Sequence, residues 1–200
     1  MEIIYFKELE STQKHLLNNL KANICIWTDN QTNGIGSRGN SWLGEKGNLF
    51  FSFSINKENL PNDLALQSIS IYYMYQLKNL LNDLGSKVKF KWPNDLYLKN
   101  KVAGIISNIK NDIIIVGIGI NTKKSENYSS LDINISNKKI IDEYFKCLLR
   151  KRTWKEIFIE YQKEFYDIDF ITSEGINLKT AILNNDGSIE INNERIYSLR

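Results

Sequence analysis

The sequence predicts an α+β fold: a mixed, mostly antiparallel sheet with helices on one face, followed by a shortened β segment at the C-terminus. Three observations carry this. Strand patterns cluster between residues 87 and 120 and are joined by hairpin signals at Lys99-Asn100 and Asn111-Asp112. A long helical pattern precedes the cluster and two more follow it. The tail reverts to short strand patterns broken by Asn184-Asn185-Asp186-Gly187, a hairpin sequence.

Residues 3–9 read as a strand, and Ser11 stands where it caps a helix carrying Leu16, Leu17 and Leu20 on one face. Its hydroxyl has a proton and two lone pairs, so a ligand contact is equally open to it. His15, the only histidine, has no acidic or nucleophilic partner in the pattern and reads as a surface residue. Short strands at 24–27 and 48–55 flank a long glycine-punctuated connection, residues 28–42. Connections of this length are uncommon unless they bind something. Gly34, Gly36 and Gly39 free the backbone to wrap an anion, and Arg38 offers a forked donor. Strand patterning rather than a helix follows, so this is not a dinucleotide fingerprint. Taken alone, the loop also reads as a mobile surface segment.

A helix is expected over residues 61–84, with Pro61 at its start, Ala65, Ile69, Tyr72, Tyr73, Leu77, Leu80 and Leu84 at helical spacing, and Gly85 at its end. The alternation Lys87-Val88-Lys89-Phe90-Lys91-Trp92 is a half-buried strand that Pro93 forces to turn. Asn94 and Asp95 then sit at a strand end, where side chains reach into a cleft. Lys101 opens the return strand, and Ala103 and Gly104 leave room beside it for something flat. It is either a cation at a pocket mouth or an edge-strand guard against aggregation.

Residues 113–120 form an apolar run with the length and branching of a central strand. Glycines inside such a strand need a close approach to explain them: a planar ligand against Gly117 and Gly104, or a tight helix crossing. Asn121 at the strand end points its amide into the same cleft. Residues 123–137 read as a mobile polar loop. Helices follow at 138–150 and 153–166, the second with Thr153 and Glu156 in capping-box spacing. The tail is too short for a core of its own and has to dock, giving domains at 1–166 and 167–200.

Composition narrows the class. Two hundred residues with 42% hydrophobic content suit one catalytic unit with a small appendage. The net charge of +3 is scattered rather than blocked, so no dedicated nucleic-acid surface is indicated. Cys25 and Cys147 have neither metal nor disulfide spacing, no run of 18 apolar residues occurs, and the start lacks a signal-peptide design. A cytoplasmic protein without membrane contact is expected.

Four stretches in this order resemble the biotin protein ligases: the glycine loop ending at Trp42, Lys91-Trp92-Pro93-Asn94-Asp95, Lys101-Val102-Ala103-Gly104-Ile105-Ile106, and Gly117-Ile118-Gly119-Ile120-Asn121. Ser11-Thr12-Gln13 and Gln31 fall where that family contacts biotin. The resemblance runs from about residue 3 to 165 and more faintly to the end. It implies a class II aminoacyl-tRNA-synthetase-like catalytic domain and a shortened small β-barrel, in the short form that lacks a DNA-binding domain. It also implies a two-step reaction: biotin and Mg-ATP give biotinyl-5′-AMP, and a lysine of a biotin carboxyl carrier protein then takes the biotinyl group.

By the same resemblance, Lys101 meets the biotin carboxylate and the α-phosphate, with Arg38 as second cation. Ser11, Thr12, Gln13 and Gln31 surround the ureido end. Gly34, Ile35, Gly104 and Gly117 complete the biotin site, while Ile106 and Ile120 flank the thiophane ring. Gly36, Ser37, Arg38, Asn40, Trp42 and Asn121 serve ATP and the adenylate, and Asp95 orients Lys101, metal or acceptor. The magnesium ligands and any pairing into a homodimer stay open. Family loops are richer in arginine than this one, which has Ile35, Ser37 and Asn40 at those positions; weaker adenylate clamping is expected. The rival readings are a lipoate or octanoate ligase or transferase and a non-catalytic biotin-binding module.

Overall fold

The computed structural model describes residues 1–42, 44–167, 170–171, 175 and 177–197, with the Arg38 side chain outside that set. The elements run β1 (Glu2–Tyr5), α1 (Thr12–Asn18), β2 (Ile24–Thr28), β3 (Gly34–Ile35), β4 (Ser41–Trp42), β5 (Leu49–Asn56) and α2 (Ile69–Asp83). The hairpin strands β6 (Lys89–Lys91), β7 (Asp95–Tyr97), β8 (Lys101–Lys110) and β9 (Ile113–Ile120) follow. Next come α3 (Asn137–Leu148), α4 (Trp154–Asp167), β10 (Ile182–Leu183), β11 (Ile189–Ile191) and β12 (Glu194–Ile196).

Seven strands form one sheet in the order β1-β2-β5-β9-β8-β7-β6. Only β1 and β2 pair in parallel; the other neighbours are antiparallel, as the short connections between β6 and β9 require of those strands. Period-two alternation gives the central strands two different faces. Phe51, Phe53, Ile114, Val116 and Ile118 belong to the main core with residues of α2, α3 and α4. Ile115, Ile24 and Ile26 point the other way and pack with Leu16 of α1. Thus three helices cover one face and α1 covers part of the other. Helix α2 is buried nearly all round, consistent with its place between the sheet and the two later helices.

The helix expected from Pro61 begins instead at Ile69, after a single 3-10 turn over Leu66–Ser68. Pro61 closes a turn with Leu64, and the intervening Asp63 carboxylate accepts the N–H groups of Trp154 and Lys155 at 3.0 and 2.9 Å. It therefore serves the exposed donors at the start of α4. Thr153 and Glu156 add the reciprocal capping box there. The polar loop after β9 is tied down rather than free: Leu131 is buried, and Asp132 accepts from Ser86 at 2.5 Å and from the Lys87 N–H at 3.0 Å. His15, expected on the surface, is half-buried against the Phe6 ring at 5.1 Å.

The described part of the tail forms a three-stranded sheet, β10-β11-β12, whose Leu183 and Ile189 join the main core. Its first turn is the expected Asn184-Asn185-Asp186-Gly187 stretch, with Gly187 at φ 75°. The Trp92 and Trp154 indoles donate to Gly187 O and Asn185 O at 2.8 and 2.7 Å. Asp186 accepts from Ser188 N and Oγ, Arg195 and Gln67. Although burial alone would raise its pKa, these donors hold its carboxyl down at about 2.

Candidate functional site

The face of the sheet left uncovered beyond α1 has a floor of small residues. Cross-strand pairing sets Ser52 opposite Gly117 and Gly117 opposite Ile106, with Gly119 opposite Gly104 in the next row. The reason for glycine is visible in what lies above. A methyl group on Gly104 or Gly119 would stand 2.8 or 2.6 Å from the Trp42 indole. One on Gly117 would collide with the Gln13 amide oxygen. Trp42 reaches this floor because β3 and β4 pair as a small hairpin, Gly34 opposite Trp42 and Ile35 opposite Ser41.

Beside the indole is a cavity of about 90 Å³. Its closed end is polar. Gln31 Oε1 accepts from Thr12 N at 2.8 Å and from Thr12 Oγ1 at 3.1 Å, and Thr12 Oγ1 lies 2.9 Å from Ser52 Oγ. Gln13 donates to Asn108 Oδ1 at 2.9 Å and Ile115 O at 3.2 Å, leaving its own Oε1 buried without a partner. Ser11 caps α1 by accepting the Lys14 N–H at 3.4 Å, and it lines the cavity as well. A buried, unsatisfied amide oxygen is unfavourable by about 1–3 kcal/mol, which a ligand donor would recover.

The other end is charged. Lys101 Nζ lies 2.7 Å from Asp95 Oδ1 and 5.0 Å from the centre of a Trp42 ring. Asp95 is held there by the turn before it, where Asn94 exchanges two 3.0 Å bonds with Ile105 across to β8. The lysine side chain is 37% exposed, less enclosed than a dry catalytic slot requires.

Of the residues singled out from the sequence, the cavity brings together Ser11, Thr12, Gln13, Gln31, Ile35, Gly36, Ser37, Asn40, Trp42, Lys101, Gly104, Ile106 and Gly117. Gly34 is displaced from it: its backbone packs on Gln31 and Trp42 and faces a second hollow. Ile120 does not flank the cavity, because it alternates with Gly119 and lies in the main core. Asn121 lies outside the lining; its amide nitrogen donates to Ser129 O at 3.0 Å, which ties it to the following loop. The Arg38 side chain, expected as a second cation, lies outside the described residues. Lining residues that the sequence reading missed include Ser52, Asn94, Ile118 and Gly119. The alternation Phe51-Ser52-Phe53-Ser54 carried the signal for Ser52: serines on one face, phenylalanines on the other.

The second hollow, about 610 Å³, lies across the β3–β4 hairpin and shares the Trp42 wall. Glu45, Asn127 and Tyr128 complete it. Among the described residues no group of three His, Cys, Asp or Glu side chains could hold a metal ion. Cys25 and Cys147 are not nucleophiles in waiting, because burial raises the pKa of both thiols.

Comparison with known proteins gives the geometry a context. The model of the biotin/lipoate A/B protein ligase family matches residues 5–125. The bifunctional ligase/repressor BirA of Escherichia coli is 34% identical over 124 residues, covering 56% of this chain and 38% of that protein. Biotin–protein ligase 2 of Arabidopsis thaliana is 29% identical over 139 residues, covering 62% and 41%. The match thus spans about two-fifths of the length of these curated relatives. The solved biotin acetyl-coenzyme A carboxylase synthetase of Helicobacter pylori, with bound biotinylated ATP, superposes with a TM-score of 0.90 at 38% identity. That match covers 98% of this chain and 99% of the other. The biotin protein ligase of Aquifex aeolicus, solved with biotin and ATP, shares the fold at a TM-score of 0.75, 24% identity and 100% and 96% coverage.

Proposed function

We infer the activity from one premise: the chain belongs to the biotin/lipoate A/B protein ligase family. It activates biotin with ATP to biotinyl-5′-AMP and transfers the biotinyl group to a lysine of a biotin carboxyl carrier protein. One observation carries the choice of biotin within the family. The closed end of the cavity gathers Thr12, Gln13, Gln31 and Ser52, polar groups that match a cyclic urea, whereas a dithiolane or plain acyl chain would leave Gln13 Oε1 unsatisfied.

The chemistry then follows from the two ends. A biotin carboxylate oxygen attacks the α-phosphorus of ATP, the bond to pyrophosphate breaks, and a mixed anhydride forms. The acceptor lysine amine next attacks the acyl carbon, and AMP leaves with the electron pair. Neither step needs a covalent enzyme intermediate. The protein's tasks are alignment and charge neutralisation. Lys101 supplies the charge: at 4 Å and an effective dielectric of 20, a unit pair is worth about 4 kcal/mol, against about 0–1 kcal/mol in open solvent. Asp95 keeps the ammonium aimed along the glycine floor until an anion replaces it as partner.

Substrate pockets run from about 300 to 1,000 Å³, so a 90 Å³ cavity has to enlarge. The indole of Trp42 lifts from Gly104 and Gly119 as biotin enters and becomes its lid; the second hollow and Asn121 then serve the nucleotide side. Magnesium enters with the ATP substrate, bridging its phosphates. We read residues 1–166 as the catalytic unit and 167–200 as its docked appendage. The reaction belongs in the cytoplasm; among the described residues no helix is long and apolar enough to cross a membrane. A second copy, where two chains pair, has the bare edge of β1 available, with Ile3 and Tyr5 exposed.

The test is transfer of labelled biotin to a purified acceptor domain with ATP and magnesium, alongside pyrophosphate exchange with biotin, lipoate and octanoate. Biotin alone should support both. Exchange with lipoate in preference to biotin would move the protein to the other branch of its family. Tight biotin binding without exchange would make it a non-catalytic module. Lys101→Ala should lower exchange at least about a hundredfold with an unchanged melting temperature; unchanged exchange would remove Lys101 from the reaction.

A further inference from the structure

Among α2, α3 and α4, on the helical side of the sheet, lies a third hollow of about 310 Å³ that shares no lining residue with the cavity beside Trp42. One wall is a single face of α2: Gln76, Asn79, Leu80 and Asp83 fall at i, i+3, i+4 and i+7. The end of α3 and the link that follows bring Cys147, Arg150 and Arg152 to it, and Glu160 comes from α4. Gln76 is 1% exposed, and the direction of its amide is fixed. The nitrogen donates to Tyr72 O at 3.2 Å, so the oxygen is the atom left over. That oxygen is buried and has no hydrogen-bond partner among the described residues. An acceptor so placed calls for an N–H or O–H from outside the chain.

The charges around the hollow divide into an engaged pair and two that stand apart. Glu160 accepts from Arg152 Nη1 and Nη2 at 3.0 and 2.5 Å and from the Asn79 amide at 3.0 Å, so this fork belongs to the wall. Arg150 and Asp83 differ: among the described residues neither side chain has an ion pair, with the other or elsewhere. A bare cation would leave Arg150 unanswered, and a phosphate would set its charge against Asp83 and Glu160. A molecule carrying both signs answers Gln76, Asp83 and Arg150 together.

We propose that this hollow binds a free amino acid as its zwitterion, the ammonium on Gln76 Oε1 and the Asp83 carboxylate, the carboxylate on the Arg150 guanidinium. Leu80 and Cys147 line the remainder, which suits a small apolar side chain. The volume is at the lower end of the range for small-molecule sites, as a ligand of that size requires. The site does not depend on the biotin reading and is tested apart from it.

The experiment is a thermal-shift screen of the full chain against the standard amino acids at about 10 mM, followed by titration with ligand-observed NMR. An amino acid with a small apolar side chain should raise the melting temperature and bind with a Kd of about 1 mM or tighter. Its N-acetyl and methyl-ester forms, each lacking one of the two charges, should not. Gln76→Met keeps the volume without the acceptor and should weaken binding at least about tenfold. Arg150→Ala, at an exposed position, should weaken it about fivefold. Lys101→Ala should bind the amino acid as the wild type does; a loss there would put the ligand on the glycine floor and reject this site. No shift with any amino acid overturns the proposal, as does an affinity untouched by Gln76→Met. Equal binding of the methyl ester and the free acid overturns it too, because Arg150 would then have no role. Should Gln76→Met fail to fold, Arg150→Ala decides, and an unchanged Kd in that variant rejects the site.

Discussion

The two faces of β5 and β9 are made by the same strands and obey opposite rules. On one, Phe51, Phe53, Ile114, Val116 and Ile118 are packed against aromatic side chains of α2 and α3, with Phe53 meeting the Tyr73 and Phe145 rings edge-on. On the other, Ser52, Gly117 and Gly119 give up side-chain volume, so that Gln13 and Trp42 can lie against bare backbone. Glycine in a strand interior weakens it. The dry face offsets that loss, and the separation is possible because neighbouring residues in a strand never share a face.

Substitutions one row apart can break this comparison. Ile114→Ala, on the packed face, should destabilise the protein by about 2–5 kcal/mol and leave KM for biotin unchanged. Gly119→Ala, on the open face, should change stability by less than about 1 kcal/mol, because what a methyl meets there is the Trp42 side chain rather than backbone, while biotin affinity falls about tenfold. Chemical denaturation and pyrophosphate exchange on both variants measure the contrast. Equal losses of stability would mean that the open face is ordinary core.

A finer effect concerns the loop over that face. Ser37→Arg should slow release of biotinyl-AMP about fivefold by adding a cation beside the phosphate. A release rate equal to wild type in a chase with unlabelled biotin, or a wild-type rate already as slow as in arginine-rich relatives, would remove the clamping argument.

The smallest effect lies far from either face. Asp186 has a folded pKa of about 2 against an ordinary 3.8, so its stabilisation is fully present above pH 3.8 and fades as pH falls toward 2. For a carboxylate partly open to water this is about 1 kcal/mol. Asp186→Asn should lose that amount at pH 7, and its deficit relative to wild type should shrink through the same acid window. A constant deficit from pH 7 to 2 would assign the loss to packing instead.

What the sequence disclosed was local. The β8–β9 hairpin, the Thr153–Glu156 box and the 184–187 turn are each defined by residues within a few positions, and each stands where it was expected. The start of α2 was not local. Asp63 is engaged with the N–H groups of Trp154 and Lys155, more than ninety residues on, and no propensity at Pro61 announces that. Ile120 was misplaced for a different reason. Its motif neighbours drew it toward the site, whereas counting alternation from Gly119 puts it in the core. Ser52 passed unnoticed because the Phe51-Ser52-Phe53-Ser54 alternation marks a polar face without disclosing that a glycine stands opposite the serine.

The two indole bonds to the 184–187 turn have a consequence for the chain's end. Trp92 precedes by three residues the carboxylate that steers Lys101, and its donor terminates on Gly187 O. Clipping the polypeptide ahead of Asn184 would strand two indole nitrogens against an empty wall and loosen the backstop behind the catalytic strand. The last few strands thus act as a keystone: small in themselves, yet bearing on the alignment of the amine at the opposite side of the arch.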